Sequence, residues 1–462
     1  MTIEDIDRTA NFVDDKHNDV IIKVIGVGGG GDNAVNHMYE QGIKKVSFVV
    51  CNTDRQALNN SVVPNRLLIG PNTTGGLGAG NNPEVARQAA EESAEDIARL
   101  FDDETKMVFI TAGMGGGTGT GAGPVVARIA QEKGLLTIGI VTIPFFFEGE
   151  KKIYKALKGA EEMSKYVDAL LVVNNEQLTE IYPDLDWLNA FGKADDTLSN
   201  AARSISELIT CDGHINLDFN DVNTTLRNGG AAIISTGYGE GEHRVTKAIQ
   251  DALNSPLLKN KDIFGSKHLL FNLYYSREAD QKFLMGEANE LTSFIQNIDK
   301  DVDVIYGIGF DESLGNKIKI TILAAGFELS IMGDTPVGGE RKRHSNPFES
   351  PKKADETDEE ELRKEAISKA YGDEKVQLAE RERAASKYII LRPDQLEDDS
   401  IIETFEHSPA YGRDKRIADE VRQASGRQPA TQQPPSGAPE TPRDEPERPH
   451  QTYQSDSKRI EF

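Results

Sequence analysis

The residues best suited to chemistry are glycines. Ala112-Gly113-Met114-Gly115-Gly116-Gly117-Thr118-Gly119-Thr120-Gly121-Ala122-Gly123 follows a short apolar run, and Gly26-Val27-Gly28-Gly29-Gly30-Gly31-Asp32-Asn33 follows another. Glycine is costly to order, and a simple turn needs one or two. A stretch this dense, with two threonine hydroxyls inside it, suits a backbone whose N–H groups wrap a polyphosphate. A helix read from Pro124 would aim its positive end at the same place. The first stretch contains a G-x-G-x-x-G spacing, which a dinucleotide-dependent dehydrogenase or a tight strand-to-helix turn would also show. No G-x-x-x-x-G-K-[ST] occurs, which disfavours an ordinary P-loop NTPase. An N-K-x-D guanine motif is also missing: Asn260-Lys261 runs into Asp262-Ile263, and Asn316-Lys317 into Ile318-Lys319.

A second candidate lies in Asn216-Leu217-Asp218-Phe219-Asn220-Asp221, ahead of a helical pattern. Asp218 and Asp221 are three apart, so both carboxylates emerge on one face of a first helical turn. Two such groups can orient and polarise a water for attack on a phosphoryl group. The same residues also suit helix capping, and the sequence leaves both readings open.

The elements around these residues alternate. Strand patterns at Val20–Val27, Val46–Cys51, Met107–Ala112, Leu136–Ile143 and Ala169–Val173 are separated by helical spacing at Asn33–Gln41, Glu84–Leu100 and Pro124–Lys133. That order predicts a parallel sheet covered on both faces, with ligands at the carboxyl ends of the strands, where the glycine stretches lie. A helix over Asp195–Leu208 follows. Strands at Ala231–Thr236, Leu269–Leu273, Val302–Ile308 and Ile318–Ala324, with helices at Val245–Leu253 and Gly286–Ile298, then predict a smaller α+β domain.

Composition divides the 462 residues unevenly. Hydrophobic residues make up only 37%, and the deficit lies in the last third, which cannot offset its ordering entropy by burial. Lys352–Arg383 is a dense mix of charges that allows partial helix but has no apolar stripe with which to pack, and it reads as linker. A net charge of −24 argues against non-specific binding to nucleic acid or anionic lipid, and it opposes self-association electrostatically. Cys51 and Cys211 have no partners at ligand spacing, which points to a reducing cytoplasm. The acidic leader is no signal peptide, and no apolar run can span a bilayer, so no direct membrane insertion is expected.

From about Ile21 to Gly326 the chain resembles the tubulin/FtsZ family, the tubulin-like GTPases of bacterial cell division. The GGGTGTG run resembles the tubulin signature. VIGVGGGGDNAV, Asn52-Thr53-Asp54 with Gln56, Gly75–Gly80 with Asn82-Pro83-Glu84, and Pro144-Phe145-Phe146-Phe147-Glu148-Gly149 resemble further family loops, in order. The resemblance implies a Rossmann-like parallel-sheet GTPase domain joined by a central helix to the smaller α+β domain, followed by a disordered tail. The boundaries expected are a leader at 1–18, a GTP-binding domain at 19–183, the central helix and synergy loop at 184–222, and the second domain at 223–328. A charged linker at 329–390, a docking peptide at 391–416 and a disordered tail at 417–462 follow.

The resemblance also implies roles. Gly28, Gly29, Gly30 and Gly31, with Gly115, Gly116, Gly117, Thr118, Gly119 and Thr120, would hold the phosphates of GTP or GDP, with Mg2+ on those phosphates and no metal ligand assigned among side chains. Asn52 belongs to the second loop, and Gly78 and Ala79 would lie near the γ-phosphate. Glu148 would accept from the ribose, beside Lys152. Asn33, Asn175 and Asp195 would read the guanine edge, and Phe191 would cover the base. A carboxylate suits guanine because it accepts from N1–H and the exocyclic amine, a donor pair adenine lacks. Asn216, Asp218 and Asp221 would form the synergy loop, which acts on the nucleotide of the next subunit in a head-to-tail filament. Three residues depart from the pattern: Asp32 for a glycine, Phe146 for a small or polar residue, and Lys152 for an arginine, which keeps the charge without the planar fork. They bear on nucleotide affinity.

In the tail, Ile401, Ile402 and Phe405 with Ser408-Pro409-Ala410-Tyr411-Gly412-Arg413 resemble the family's C-terminal peptide. Residues 396–413 would therefore dock membrane-tethering division proteins at a mid-cell ring. Two other readings compete with an assembling GTPase. A non-catalytic relative is disfavoured by Asp218 and Asp221, and an oxidoreductase built on the first loop leaves Gly113–Gly123 unexplained.

Overall fold

Strand β1 (Ile22–Val27) is buried along its whole length and stops where the glycines begin. The computed structural model describes residues 20–43, 45–182, 186–210, 213–254, 265–296, 302–327 and 351–387. The leader, the docking peptide at 396–413, the tail at 417–462 and Cys211 lie outside the described residues. The chain divides after Leu378, and the fold below belongs to the first unit.

In chain order, β1 is followed by α1 (Gly28–Glu40), β2 (Val46–Asn52), α2 (Arg55–Asn60), β3 (Arg66–Leu68), α3 (Pro71–Thr74), α4 (Pro83–Glu92) and α5 (Ala94–Arg99). Next come β4 (Met107–Gly113), α6 (Thr118–Glu132), β5 (Leu136–Ile143), α7 (Glu150–Ser164), β6 (Ala169–Asn174), α8 (Asn175–Ile181) and the long α9 (Trp187–Thr210). The second half holds β7 (Gly213–Ile215), α10 (Phe219–Leu226), β8 (Gly230–Gly239), α11 (Arg244–Leu253), β9 (His268–Tyr275), α12 (Met285–Gln296), β10 (Asp303–Phe310) and β11 (Ile318–Phe327). Helices α13 (Pro351–Tyr371) and α14 (Asp373–Lys387) follow.

The first six strands pair in parallel in the order β3-β2-β1-β4-β5-β6, a doubly wound arrangement. Both flanking strands pair with the end of β1, Val27 lying opposite Cys51 and Ala112. The expected α/β fold is therefore present. The second half adds β8-β11-β9-β10-β7, antiparallel around β11. The two halves of this one sheet join, among the described residues, through two pairings, Ala169 with Gly230 and Leu170 with Ala231. There the Asp168 carboxylate accepts from the Thr137 and Asn228 amides and from Arg227.

One core lies between the parallel sheet and α4 to α7. Another lies on the opposite face, with Ala34 and Val35 of α1 and Leu198 and Ile205 of α9, and continues to Val222, Leu226 and Leu323 of the second half. A third joins α11 and α12 to β9 and β11.

Four details depart from the sequence reading. Helix α1 starts at Gly28 and α6 at Thr118, several residues early, because packing of the two helix starts against each other outweighs glycine's poor helix propensity. The helical spacing of Glu84–Leu100 breaks at Ser93, whose hydroxyl accepts from the Gly70 amide. Strand β3 is only three residues long and starts with arginine, too short for an alternating pattern. The segment read as a linker without an apolar stripe forms α13, and its Ala366 and Ile367 are buried in the core beside α7. One turn of small and apolar residues suffices for this docking, and it leaves no helical periodicity in so charged a sequence.

Candidate functional site

At the carboxyl ends of β1 and β4 the two glycine stretches interlock. Gly28 has φ +74°, and a Cβ there would lie 2.7 Å from the Gly119 nitrogen. The starts of α1 and α6 thus meet with their backbones in contact. Neither has a side-chain cap, so their first-turn N–H groups converge as a ready anion site at two positive helix ends. Thr118 and Thr53 hydroxyls share a hydrogen bond of 2.8 Å beside it.

A cleft of about 400 Å³ opens from this point. Its lining brings together Gly29, Gly30, Gly116, Gly117, Thr118 and Gly119 of the helix starts with Asn33, Glu148, Lys152, Asn175, Phe191 and Asp195. Glu148 is fixed from two sides: its Oε1 accepts from the Phe145 amide at 2.9 Å, and its other oxygen pairs with Lys152. Phe191 stands edge-on to Phe145 at 5.2 Å, and Phe147 stacks on Phe145 at 5.1 Å, forming an aromatic shelf at the rim. Asn175 is buried, and its side-chain oxygen has no partner among the described residues. Burial pushes the Asp195 carboxyl up to about 7; His37 pulls it down and Asp196 pushes it up further. A half-buried carboxyl and a buried amide oxygen in one lining form an acceptor set for a ligand that donates.

The remaining expected residues sit behind this surface. Gly115 has φ +103°, and a side chain there would strike Pro144 and Lys152. Its amide is taken by the Thr120 hydroxyl at 2.8 Å, so both residues shape the turn. The Gly78 amide is likewise taken, by the Thr53 carbonyl, while Ala79 packs beside Gly117. Gly31 sits against the Thr111 carbonyl. Asn52 is buried and donates to Asp32 at 2.7 Å. Asp32, the charged departure, is thereby turned into the protein at 4% exposure. Burial pushes its carboxyl well up, against the hydrogen bonds from Asn52 and the Cys51 backbone.

Asp218 and Asp221 do not line the cleft. They cap α10: Asp218 accepts from the Asp221 amide at 3.0 Å, and Asp221 accepts from the Asp218 amide at 2.8 Å. Asn216 accepts from Gly213 at 2.7 Å. The capping alternative is thus realised in the geometry, and each carboxylate keeps a second oxygen outside the reciprocal pair. The stretch of α9 from Asp195 to Thr210 rises roughly 22 Å at about 1.5 Å per residue, and the acidic pair comes after its far end.

Sequence reasoning missed Met114, Thr142, Pro144 and Ala194 in the cleft wall, and His37, whose Nε2 lies 2.6 Å from Asp196. Met114 and Pro144 fall inside loops already singled out but were given no role of their own, and the others belong to no residue type or spacing that announces a ligand. Among the described residues no group of His, Cys, Asp and Glu is arranged to hold a metal, and no helix is long and apolar enough to cross a membrane.

Comparison with known proteins agrees with this architecture. Residues 21–183 match the model of the Tubulin/FtsZ family, GTPase domain, and residues 230–328 that of the FtsZ family, C-terminal domain. The chain is 51% identical over 403 residues to the cell division protein FtsZ of Porphyromonas gingivalis, covering 85% of each sequence. It superimposes on an FtsZ dimer structure from M. jannaschii with TM-score 0.61 and 39% identity, covering 68% of this chain and 89% of that one. CetZ1 from Haloferax volcanii, solved as a GDP-bound monomer, matches at TM-score 0.58 and 20% identity over 75% and 98% of the two chains, a likeness of fold alone. With both domain models matched in order and half its positions shared with a curated relative along most of its length, this chain belongs to the tubulin/FtsZ family.

Proposed function

We propose that this protein binds GTP in the cleft between α1, α6 and α9, assembles head to tail, and hydrolyses the nucleotide when the acidic start of α10 of the next subunit closes the site. The chain is a tubulin-like GTPase of the cell-division class. The observation that supports the finer reading is a separation: the anion cradle and the donor-seeking wall share one cleft, while Asp218 and Asp221 are not among the residues lining it and follow the C-terminal end of α9 in the chain. In this reading the first-turn amides of α1 and α6 hold the phosphates, with the Thr118 hydroxyl among them. Glu148 accepts from the ribose, and Asn33, Asn175 and Asp195 select guanine.

Mg2+ fits as a passenger of the triphosphate, since the Thr118 hydroxyl offers oxygen at the cradle and Mg2+ needs few protein ligands. When bound it spreads phosphate charge that amides alone do not neutralise. The outward oxygens of Asp218 and Asp221 from the neighbour orient the attacking water and receive its proton. Hydrolysis then weakens the contact between subunits. Placement at a mid-cell division ring, and tethering to the membrane through residues 396–413, complete the proposal.

The test is Asp218→Ala, read by light scattering and phosphate release. The variant should bind GTP and assemble while turnover falls by about a hundredfold or more, in line with loss of a general base. Turnover at the wild-type rate in assembled variant would refute the assignment. Failure of GTP, against ATP and NAD controls, to drive assembly of the wild type would refute the whole reading.

A further inference from the structure

The segment after the second domain returns to the nucleotide cleft. It lies outside both ranges matched by the family models. Ala366 and Ile367 of α13 are buried in the α6–α7 core, with Ala370, Tyr371 and Val376 packed beside them. The Asn174 side-chain Nδ2, at the end of β6, donates to the Ala370 carbonyl at 2.9 Å. At Gly372, with φ +89°, the chain breaks between α13 and α14, which brings both Tyr371 and Lys375 to the same wall.

Both residues act on the loop that presents Glu148. The Tyr371 hydroxyl donates to the Pro144 carbonyl at 2.5 Å, and its ring lies 5.5 Å from that of Phe146. Lys375 pairs with Glu176 at 2.5 Å, and the other oxygen of Glu176 accepts from the Phe146 amide at 2.7 Å. One backbone handle of the loop, Pro144 O, is thus held directly from outside the GTPase domain, and the other, Phe146 N, is held by Glu176, which Lys375 pairs with from outside. The next amide that matters, Phe145 N, orients Glu148. Phe146, the aromatic departure from the family pattern, is the residue on which Tyr371 rests. Burial, with Glu176 and Glu148 nearby, pushes the Tyr371 phenol up, so it remains a donor at any working pH.

We propose that Tyr371 and Lys375 are positioning residues of the nucleotide site: docked on Pro144 and Glu176, they set the loop that offers Glu148 to the sugar, and so set nucleotide affinity. This rests on the reading of the cleft as the GTP site. The affinity of this protein then depends on a segment beyond its second domain.

The experiment uses the full chain. Tyr371→Phe removes one hydroxyl and Lys375→Met one ion pair, while Lys375→Arg keeps the charge. Release of a fluorescent GDP analogue and KM for GTP should each rise roughly threefold to tenfold in Tyr371→Phe and Lys375→Met, the range for one hydrogen bond held in place. The turnover number at saturating GTP should stay within about twofold, since the interaction removed is uniform binding. Lys375→Arg should restore wild-type release. Ile367→Asp, which undocks α13, should raise release at least as far as either single change. Glu148→Ala serves as the reference. If it weakens binding while the α13–α14 variants release nucleotide as the wild type does, the positioning role is overturned and the site stands. If Glu148→Ala leaves affinity unchanged, the site reading falls, and this inference with it. A fall in turnover number at constant KM would also overturn it.

Discussion

Asp195 makes the guanine assignment measurable through pH. Its carboxyl is raised to about 7, chiefly by burial, with His37 and Asp196 pulling in opposite directions. Only the ionised form accepts from both guanine donors, so binding must expel a proton whenever the site starts out protonated. With that pKa, about 9% of sites are ionised at pH 6 and about 90% at pH 8, and apparent affinity scales with the competent fraction. GTP affinity should therefore fall about tenfold from pH 8 to pH 6 on account of this residue alone. A phosphate group also titrates near pH 6, so the decisive quantity is the difference in slope between wild type and Asp195→Asn. The amide replacement should bind about thirtyfold more weakly at pH 8, a loss of about 2 kcal/mol for a charge-assisted hydrogen bond, and should lose the extra slope. Fluorescence titration with a GTP analogue from pH 5.5 to 8.5 reads both, where the range brackets the titration by about 1.5 units on either side. The sign extends to stability. A carboxyl whose pKa is raised on folding favours the nucleotide-free fold while protonated, and that contribution is lost as pH rises from about 4 to about 7. Parallel slopes in the two proteins would refute the reasoning.

Other expectations follow from single contacts. Arg244 is 1% exposed, pairs with Glu287 and donates to the Asn316, Gln281 and Lys282 carbonyls, so Arg244→Met should cost about 3–5 kcal/mol in urea denaturation. A change below about 1 kcal/mol would show that the pair is worth no more than a surface one. Gly28→Ala forces a Cβ into the Gly119 backbone at positive φ, and it should cost more than about 1 kcal/mol and weaken nucleotide binding. An unchanged melting temperature and GTP affinity would show that the helix starts do not need their close contact. Asp218→Ala should also lower the melting temperature slightly, because loss of the cap costs about 1 kcal/mol, and its absence would place the capping box in doubt.

The doubly wound half was legible because buried parallel strands read as largely apolar runs, and glycine or asparagine ends or directly follows β1, β2, β4 and β6, where the cleft lies. Asp195 and Phe191 were legible only in register with those loops; alone, each is an ordinary helix residue. Three things resisted reading. The early helix starts at Gly28 and Thr118 contradict intrinsic propensity and follow from a backbone contact between stretches far apart in sequence. The inward turn of Asp32 depends on Asn52 from the neighbouring strand. Helix α13 buries too few residues, Ala366 and Ile367 foremost, for any periodicity to rise above its charges.

The reciprocal cap at the start of α10 has one more implication. Asp218 and Asp221 each hold the other's backbone with one oxygen and keep the second for elsewhere. The pair that would serve a neighbour's phosphate is thus also the pair that secures its own helix. Selection on either duty constrains both, and alanine at 218 removes the two together, so its turnover is read beside its assembly and its melting temperature. Asparagine at 218 preserves an acceptor for the helix while removing the charge, so it is the replacement that uncouples architecture from reactivity.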